Sequence, residues 1–230
     1  TITAFLIIVL ICAVEINFLG LFGYSPNKKD IKFPSVSLSS EVYTADSVLI
    51  AKYYNENRTP VTFKEIPKHV INALLATEDV RFYRHSGVDV FSTISGIIST
   101  AKGDKRGAST ITQQLAKNLY RTRYNKSQGY IKHIPVLRTL ISKFKEWLTA
   151  FKIESNYSKN DIITMYLNTV PFGYNSFGIN TASKHYFSKS VQKINVEEAA
   201  LLVGMLKATS TYNPIKNPEK ALERRNVVLG

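Results

Sequence analysis

Glu78-Asp79-Val80-Arg81-Phe82-Tyr83-Arg84-His85-Ser86-Gly87 and, further on, Gly107-Ala108-Ser109-Thr110-Ile111-Thr112-Gln113-Gln114-Leu115-Ala116-Lys117-Asn118 are the two runs on which the reading of this chain turns. Ile71, Leu75, Glu78 and Phe82 follow one another at spacings of four, three and four, which puts them on one stripe of a helix. Glu78 therefore stands where a core hydrophobe is expected. A carboxylate held there is desolvated, the condition that suits such a group to proton transfer. The same placement suits a structural Glu paired with Arg81 or Arg84, and spacing alone leaves both readings open.

The chain has 230 residues and a formal net charge of +13, enough for one globular domain with an appendage. Residues 1–23 are apolar apart from Thr1, Thr3, Glu15 and Asn17, and their length predicts a transmembrane anchor. A signal peptide would show a shorter apolar core and a small-residue cleavage site. Glu15 is costly in hydrocarbon, so an anchor requires it to be protonated, to face a partner or to lie near an interface. Lys28, Lys29 and Lys32 follow the apolar stretch, so charge does not orient it, and a short cytoplasmic segment ahead of Thr1 is expected. Cys12 is the only cysteine, which excludes an internal disulfide and a cysteine-based metal site. The basic excess favours anionic partners (nucleic acid, acidic headgroups or a phosphorylated substrate), and it also suits a merely solvated surface.

Residues 24–35 read as a polar, Lys-bearing linker, and Val36 to Phe63 as a small extended unit. In that unit Val42-Tyr43 and Val48-Leu49-Ile50 flank a hairpin turn at Thr44-Ala45-Asp46-Ser47. Beyond Pro67 the spacing is helical. Asp89 caps a helix running to Ala101, and Ser109 or Thr110 caps one that carries Gln113, Gln114 and Lys117. Ser158 with Asp161 opens the helix containing Ile162 to Leu167, Asn195 with Glu198 opens one over Val196 to Ala208, and Asn217-Pro218 opens the last. Leu137, Leu140, Phe144, Leu148 and Phe151 predict a buried stripe that turns Glu146 away from the core. The reading is a mainly α domain with a short β annex. Tyr120 to Lys145 interleaves Arg121, Arg123, Lys126, Lys132 and Arg138 with Tyr, Ile and Leu, which suits either a segment in lipid headgroups or an ordinary loop leading into a helix.

The two opening runs resemble the first and second signatures of the peptidoglycan glycosyltransferases, glycosyltransferase family 51. These form the N-terminal module of class A penicillin-binding proteins and also occur as monofunctional transglycosylases. Ser142-Lys143-Phe144-Lys145-Glu146 resembles the third signature, with Ser142 where the family commonly has Arg; Lys145 or Arg138 would then compensate for the missing charge. Lys159 to Asn168 with Pro171-Phe172-Gly173 resembles the fourth, read as architectural, and Arg224 to Leu229 the fifth. The resemblance covers residues 36–230 and implies a helix that the family continues beyond Gly230. Between its second and third signatures the family has a membrane-dipping subdomain, which favours the headgroup reading of Tyr120 to Lys145.

The resemblance implies a lysozyme-like, mainly α fold behind a single-pass anchor in the bacterial cytoplasmic membrane, with the catalytic domain on the extracytoplasmic side. The implied reaction is polymerisation of lipid II with inversion. Glu78 is then the base and Glu146 the second catalytic carboxylate, supporting the pyrophosphate side. Asp79, Phe82, Ser109, Thr110, Gln114, Lys117, Asn118 and Lys143 are expected to bind or orient substrate, and His85 to act within the first motif as a structural member. A divalent cation, Mg2+ or Mn2+, is compatible with Glu146; no organic cofactor is expected. The expected partners are lipid II and the nascent glycan, membrane lipid, and a following transpeptidase domain or other cell-wall synthesis proteins, with no nucleic acid. Ser-x-x-Lys patterns at Ser99, Ser142 and Ser190 lack an accompanying Lys-Thr-Gly, so no acyl transfer is assigned to them. The rival readings are a peptidoglycan-cleaving lytic enzyme and a non-catalytic membrane-anchored cell-wall scaffold.

Overall fold

The structure is a computed structural model that describes residues 2–34, 40–46, 49–53, 56–101, 107, 109–120 and 129–230. In chain order its elements are α1 (Ile2–Glu15), α2 (Lys28–Lys32), β1 (Ser40–Tyr43), β2 (Leu49–Tyr53), β3 (Asn57–Arg58), α3 (Lys68–Glu78), α4 (Val90–Ala101), α5 (Ile111–Tyr120), α6 (Pro135–Glu154), α7 (Lys159–Thr169), β4 (Ser176–Phe177), α8 (Ile179–Phe187), α9 (Val196–Met205) and α10 (Pro218–Leu229). The protein is mainly helical, as expected. The chain forms two compact units, one from residues 1–35 and 85–158 and the other from 36–84 and 159–230.

In the second unit α3 and α10 both pack on α9. Its core includes Val70 and Leu74 of α3, Ile162 and Tyr166 of α7, and Leu202 and Val203 of α9, all without exposure. The hairpin is present as the antiparallel pair β1–β2, with a bulge between Val42 and Tyr43; Ser47 of the expected turn and Val48 of the strand after it lie outside the described residues. Asn195 and Glu198 form the expected capping box, though α9 ends at Met205 rather than Ala208. Arg58 fixes the end of α7. Its guanidinium donates to the carbonyls of Asn168 at 2.9 Å and Thr169 at 3.3 Å and pairs with Glu56 at 2.6 Å. A cation at a helix C-terminus meets the unpaired carbonyls there. The Asn168 amide accepts from the Val61 N–H at 3.0 Å and donates to the Val61 carbonyl at 2.8 Å. These contacts are architectural, in keeping with the reading of the fourth signature.

In the first unit α5 packs along α6, and α2 also rests on α6. The stretch expected as a linker is ordered by a local cap and by distant side chains. Asn27 and Asp30 form a capping box on α2, Ile31 is fully buried, and Tyr157 donates to the Ile31 carbonyl at 2.8 Å.

The apolar segment 1–23 is not one continuous helix, and no helix among the described residues is long and apolar enough to cross a membrane. α1 ends at Glu15. Asn17 breaks it by adopting a left-handed conformation at φ 50°, which short polar side chains tolerate. The Asn17 side chain then accepts the N–H groups of Phe22 and Gly23 at 3.0 and 2.6 Å, closing the turn.

The packing of α6 reverses the expected stripe. Leu137, Leu140 and Phe151 are 43 %, 60 % and 47 % exposed, whereas Ser142, Lys145, Glu146, Thr149 and Ala150 are buried. The helix turns its polar face into the unit, where α5 meets it with polar side chains, and leaves its apolar face outward. Periodicity identified the amphipathic helix correctly and its inner face wrongly.

Candidate active site

The second motif builds the N-terminus of α5. Thr110 is the residue that caps it: its hydroxyl accepts the Gln113 N–H at 3.2 Å and donates to the Gly87 carbonyl at 2.6 Å. Such a cap contributes about 1 kcal/mol. The Gln113 amide also donates to the Gly87 carbonyl, at 3.4 Å. The end of the first motif is thereby fastened to the second. Gly87 itself has φ +98°, and a Cβ there would lie 2.9 Å from the Ala150 backbone of α6. His85 shapes the same turn, its Nδ1 accepting the Gly87 N–H at 3.2 Å. Gly87→Ala combines a left-handed conformation with a backbone clash, and we expect it to cost about 1–3 kcal/mol, read as a lowered melting temperature.

Around this junction the third motif contributes a cation. Lys143 Nζ donates to Ser109 Oγ at 2.6 Å and to Gln113 Oε1 at 2.9 Å, and lies 3.3 Å from Glu146 Oε2. Lys143 is 28 % exposed and Glu146 only 2 %, so a part-exposed lysine is paired with a buried carboxylate. Ser109, Lys143 and Glu146 are thus brought together as a group. Gln113, which sequence reasoning passed over in favour of Gln114, completes it; the missed signal is that Gln113, not Gln114, sits one turn beyond Ser109 on the face carrying Ser109 and Lys117. Gln114, Lys117 and Asn118 are part-exposed on α5, Lys117 one turn beyond Gln113.

Compensation for Ser142 by Lys145 does not occur. Lys145 is 1 % exposed, and its Nζ donates to the carbonyls of Phe22 and Tyr24, each at 2.6 Å. Burial pulls this lysine down to about 8, with Glu15 opposing the shift. Arg138 is exposed on the outer part of α6, and Ser142 is a closed position at 6 % exposure.

In the second unit Glu78 is the last residue of α3, not a member of its buried stripe. Val70, Ile71 and Leu74 form that stripe, and Glu78 is half-buried. Asp79, at φ −160° and ψ 72°, takes the chain out of the helix, so Phe82 lies in a following 3-10 turn rather than on the same helical face. Asp79 is 7 % and Phe82 1 % exposed. The Lys159 ammonium stands 4.3 Å from the Phe82 ring centroid. Tyr166 is wholly buried; burial first, and the Glu78 carboxylate second, hold its phenol well above the ordinary range. Glu78 is thus near enough to the buried α7 tyrosine to act on it, and Asp79 and Phe82 are buried in the turn that follows.

Among the described residues no three His, Cys, Asp or Glu side chains come together as a metal cage. At Glu146 a cation would share the carboxylate with Lys143.

In the first unit polar side chains turn inward around Lys143, and in the second Glu78 ends a helix half-buried. The chain belongs to the Transglycosylase family, whose defining pattern matches residues 46–230. It is 35 % identical to penicillin-binding protein 1A of Escherichia coli K12 over 98 % of this chain and 26 % of that protein. It is 40 % identical to penicillin-binding protein 1F of Bacillus subtilis 168 over 99 % of this chain and 29 % of that one. The chain thus spans between 26 % and 29 % of the length of these two relatives. A crystal structure of penicillin-binding protein 1A from Haemophilus influenzae aligns over 84 % of this chain and 17 % of its own, at 25 % identity and a TM-score of 0.41. The family assignment rests on the sequence matches.

Proposed function

We propose that this domain has the lysozyme-like fold of its family and polymerises lipid II into β-1,4-linked glycan strands. The observation that carries the reading is the Lys143 ammonium, held by Ser109 and Gln113 beside the buried Glu146. Such a fixed donor set suits the charge that develops on a departing diphosphate. Glu78 takes the proton of the acceptor sugar's 4-hydroxyl as that oxygen attacks C1 of the growing strand. The C1–O4 bond forms with inversion while the bond from C1 to the phosphate oxygen breaks, and undecaprenyl diphosphate leaves with the electron pair. Lys143 and Lys117 offset its charge, while Asp79, Ser109, Gln114 and Asn118 orient substrate and helix ends. Glu146 would hold a divalent cation, which would supply further positive charge toward the departing diphosphate. Incubation of the purified chain with labelled lipid II should give polymer, and release of reducing fragments from finished peptidoglycan instead would replace the reading with a lytic one.

We further infer that the first unit sits in the outer face of the cytoplasmic membrane. Ile2, Phe5, Leu6, Ile8 and Val9 of α1, Phe91, Ile94 and Ile98 of α4, and Ile134, Val136, Leu137 and Leu140 at the start of α6 are exposed. Apolar surface on this scale favours lipid. Arg121, Arg123, Tyr124 and Lys126 of the basic segment lie outside the described residues. The protein should float with phosphatidylglycerol-containing vesicles. Leu137→Ser with Leu140→Ser should weaken flotation of a chain lacking residues 1–23; undiminished flotation would remove α6 from the membrane surface. In the full-length relatives' arrangement a transpeptidase domain would follow Gly230.

A further inference from the structure

Glu15, the one acidic residue of α1, is met by a side chain of α6. Lys152 Nζ lies 2.5 Å from its carboxylate, and Ser25 Oγ donates to it at 3.3 Å. Lys152 also donates to the Pro26 carbonyl at 2.7 Å. Two turns earlier on the same face of α6, Lys145 donates to the carbonyls of Phe22 and Tyr24. Just ahead of α6 the Ile131 N–H donates to the Leu21 carbonyl at 3.1 Å. Residues 21–26 are therefore bound along α6 by successive contacts, and Val14 and Phe22 are buried where α1 ends. α6 is also the helix that carries Lys143 and Glu146.

Resting on the membrane reading above, we propose that Glu15, Lys152 and Lys145 are positioning residues that hold α6, and with it the Lys143–Glu146 pair, at a fixed height against the lipid around α1. A flexible tether of six residues would let the unit wander by roughly 13 Å. The diphosphate of a lipid-linked sugar lies at a set depth, and a misplacement of about 1 Å can lower a rate by about a hundredfold. Exposed ion pairs contribute little on their own. This one is partly buried, each side chain being 28 % exposed, and it shares its lysine with a backbone carbonyl, so its role is geometric. The arrangement also accounts for an acidic residue at the end of an apolar helix.

The test compares Glu15→Gln, Lys152→Gln, their double variant and Lys152→Arg for polymer formation from lipid II, in vesicles of phosphatidylethanolamine with phosphatidylglycerol and in detergent micelles. Each Gln variant should lose about tenfold or more in vesicles, and the double variant no more than the worse single, because partners in one contact are not additive. Lys152→Arg should stay within about twofold, and all variants should stay within about twofold of wild type in micelles, where depth is not imposed. Wild-type rates for Glu15→Gln in vesicles, multiplying losses, or equal losses in micelles would each overturn the positioning role. Flotation of the same proteins separates the two readings. A wild-type chain that fails to float overturns the membrane reading and this one with it; a floating chain whose Glu15→Gln variant is fully active overturns this one alone.

Discussion

Replacing Glu78 by Gln should lower the rate of lipid II polymerisation by about a hundred- to ten-thousand-fold, the range that a positioned acid or base contributes. The melting temperature should be unchanged. Glu78 ends α3 and is half-buried, so the near-isosteric amide fits the same space without forcing a charge or a void into the core. What the amide cannot do is accept and hold the proton of the attacking hydroxyl. Asp79 follows directly but is 7 % exposed, and it sits where the chain leaves the helix, a poor position from which to substitute. Glu78→Gln retaining more than about a tenth of the wild-type rate would remove the base role and send the search to Asp79.

The second unit was largely legible in the sequence because its helix boundaries are written in local chemistry. Asn195 with Glu198 and Asn217-Pro218 stand where α9 and α10 begin. Such signals depend on a few neighbouring residues and survive whatever the rest of the chain does. Glu78 ends α3 instead of standing on its buried stripe, since the chain leaves the helix at Asp79 and carries Phe82 off the expected stripe.

The first unit was harder to read, for a physical reason. Hydrophobic periodicity assumes that a helix buries its apolar face. α6 buries Ser142, Glu146 and Thr149 and exposes Leu137 and Leu140, which periodicity reads backwards. Gln113 was missed for a related reason: a buried Gln is legible only once its donor and acceptor partners, Lys143 and Gly87, are in place. Glu15 is the same case over a longer range, because its partner Lys152 is far along the chain. Residues 24–34 looked like a linker because the side chains that order them, Lys145, Lys152 and Tyr157, come from distant sequence.

Lys143→Ala should lower turnover by about a hundred- to a thousandfold, the loss seen when a preorganised donor to developing charge is removed. With Ser142 in place of the family's usual Arg and Lys145 committed to the carbonyls of Phe22 and Tyr24, Lys143 is the cation that the third motif has left to offer. The variant also strips a counter-charge from Glu146, which is 2 % exposed, so a loss of stability could imitate a loss of catalysis. Lys143→Ala combined with Glu146→Gln separates the two effects. If Lys143 served chiefly to balance the buried carboxylate, removing both charges would restore much of the rate. If it acts on the departing diphosphate, the double variant should be as slow as the single one while recovering its melting temperature. Lys143→Arg tests the geometry further, because a guanidinium keeps the charge but cannot reproduce a point donor shared by Ser109 and Gln113. Steady-state rates on lipid II decide the matter. A Lys143→Ala variant within about tenfold of wild type would exclude this lysine from leaving-group stabilisation and transfer the role to Lys117, one turn beyond Gln113 on α5.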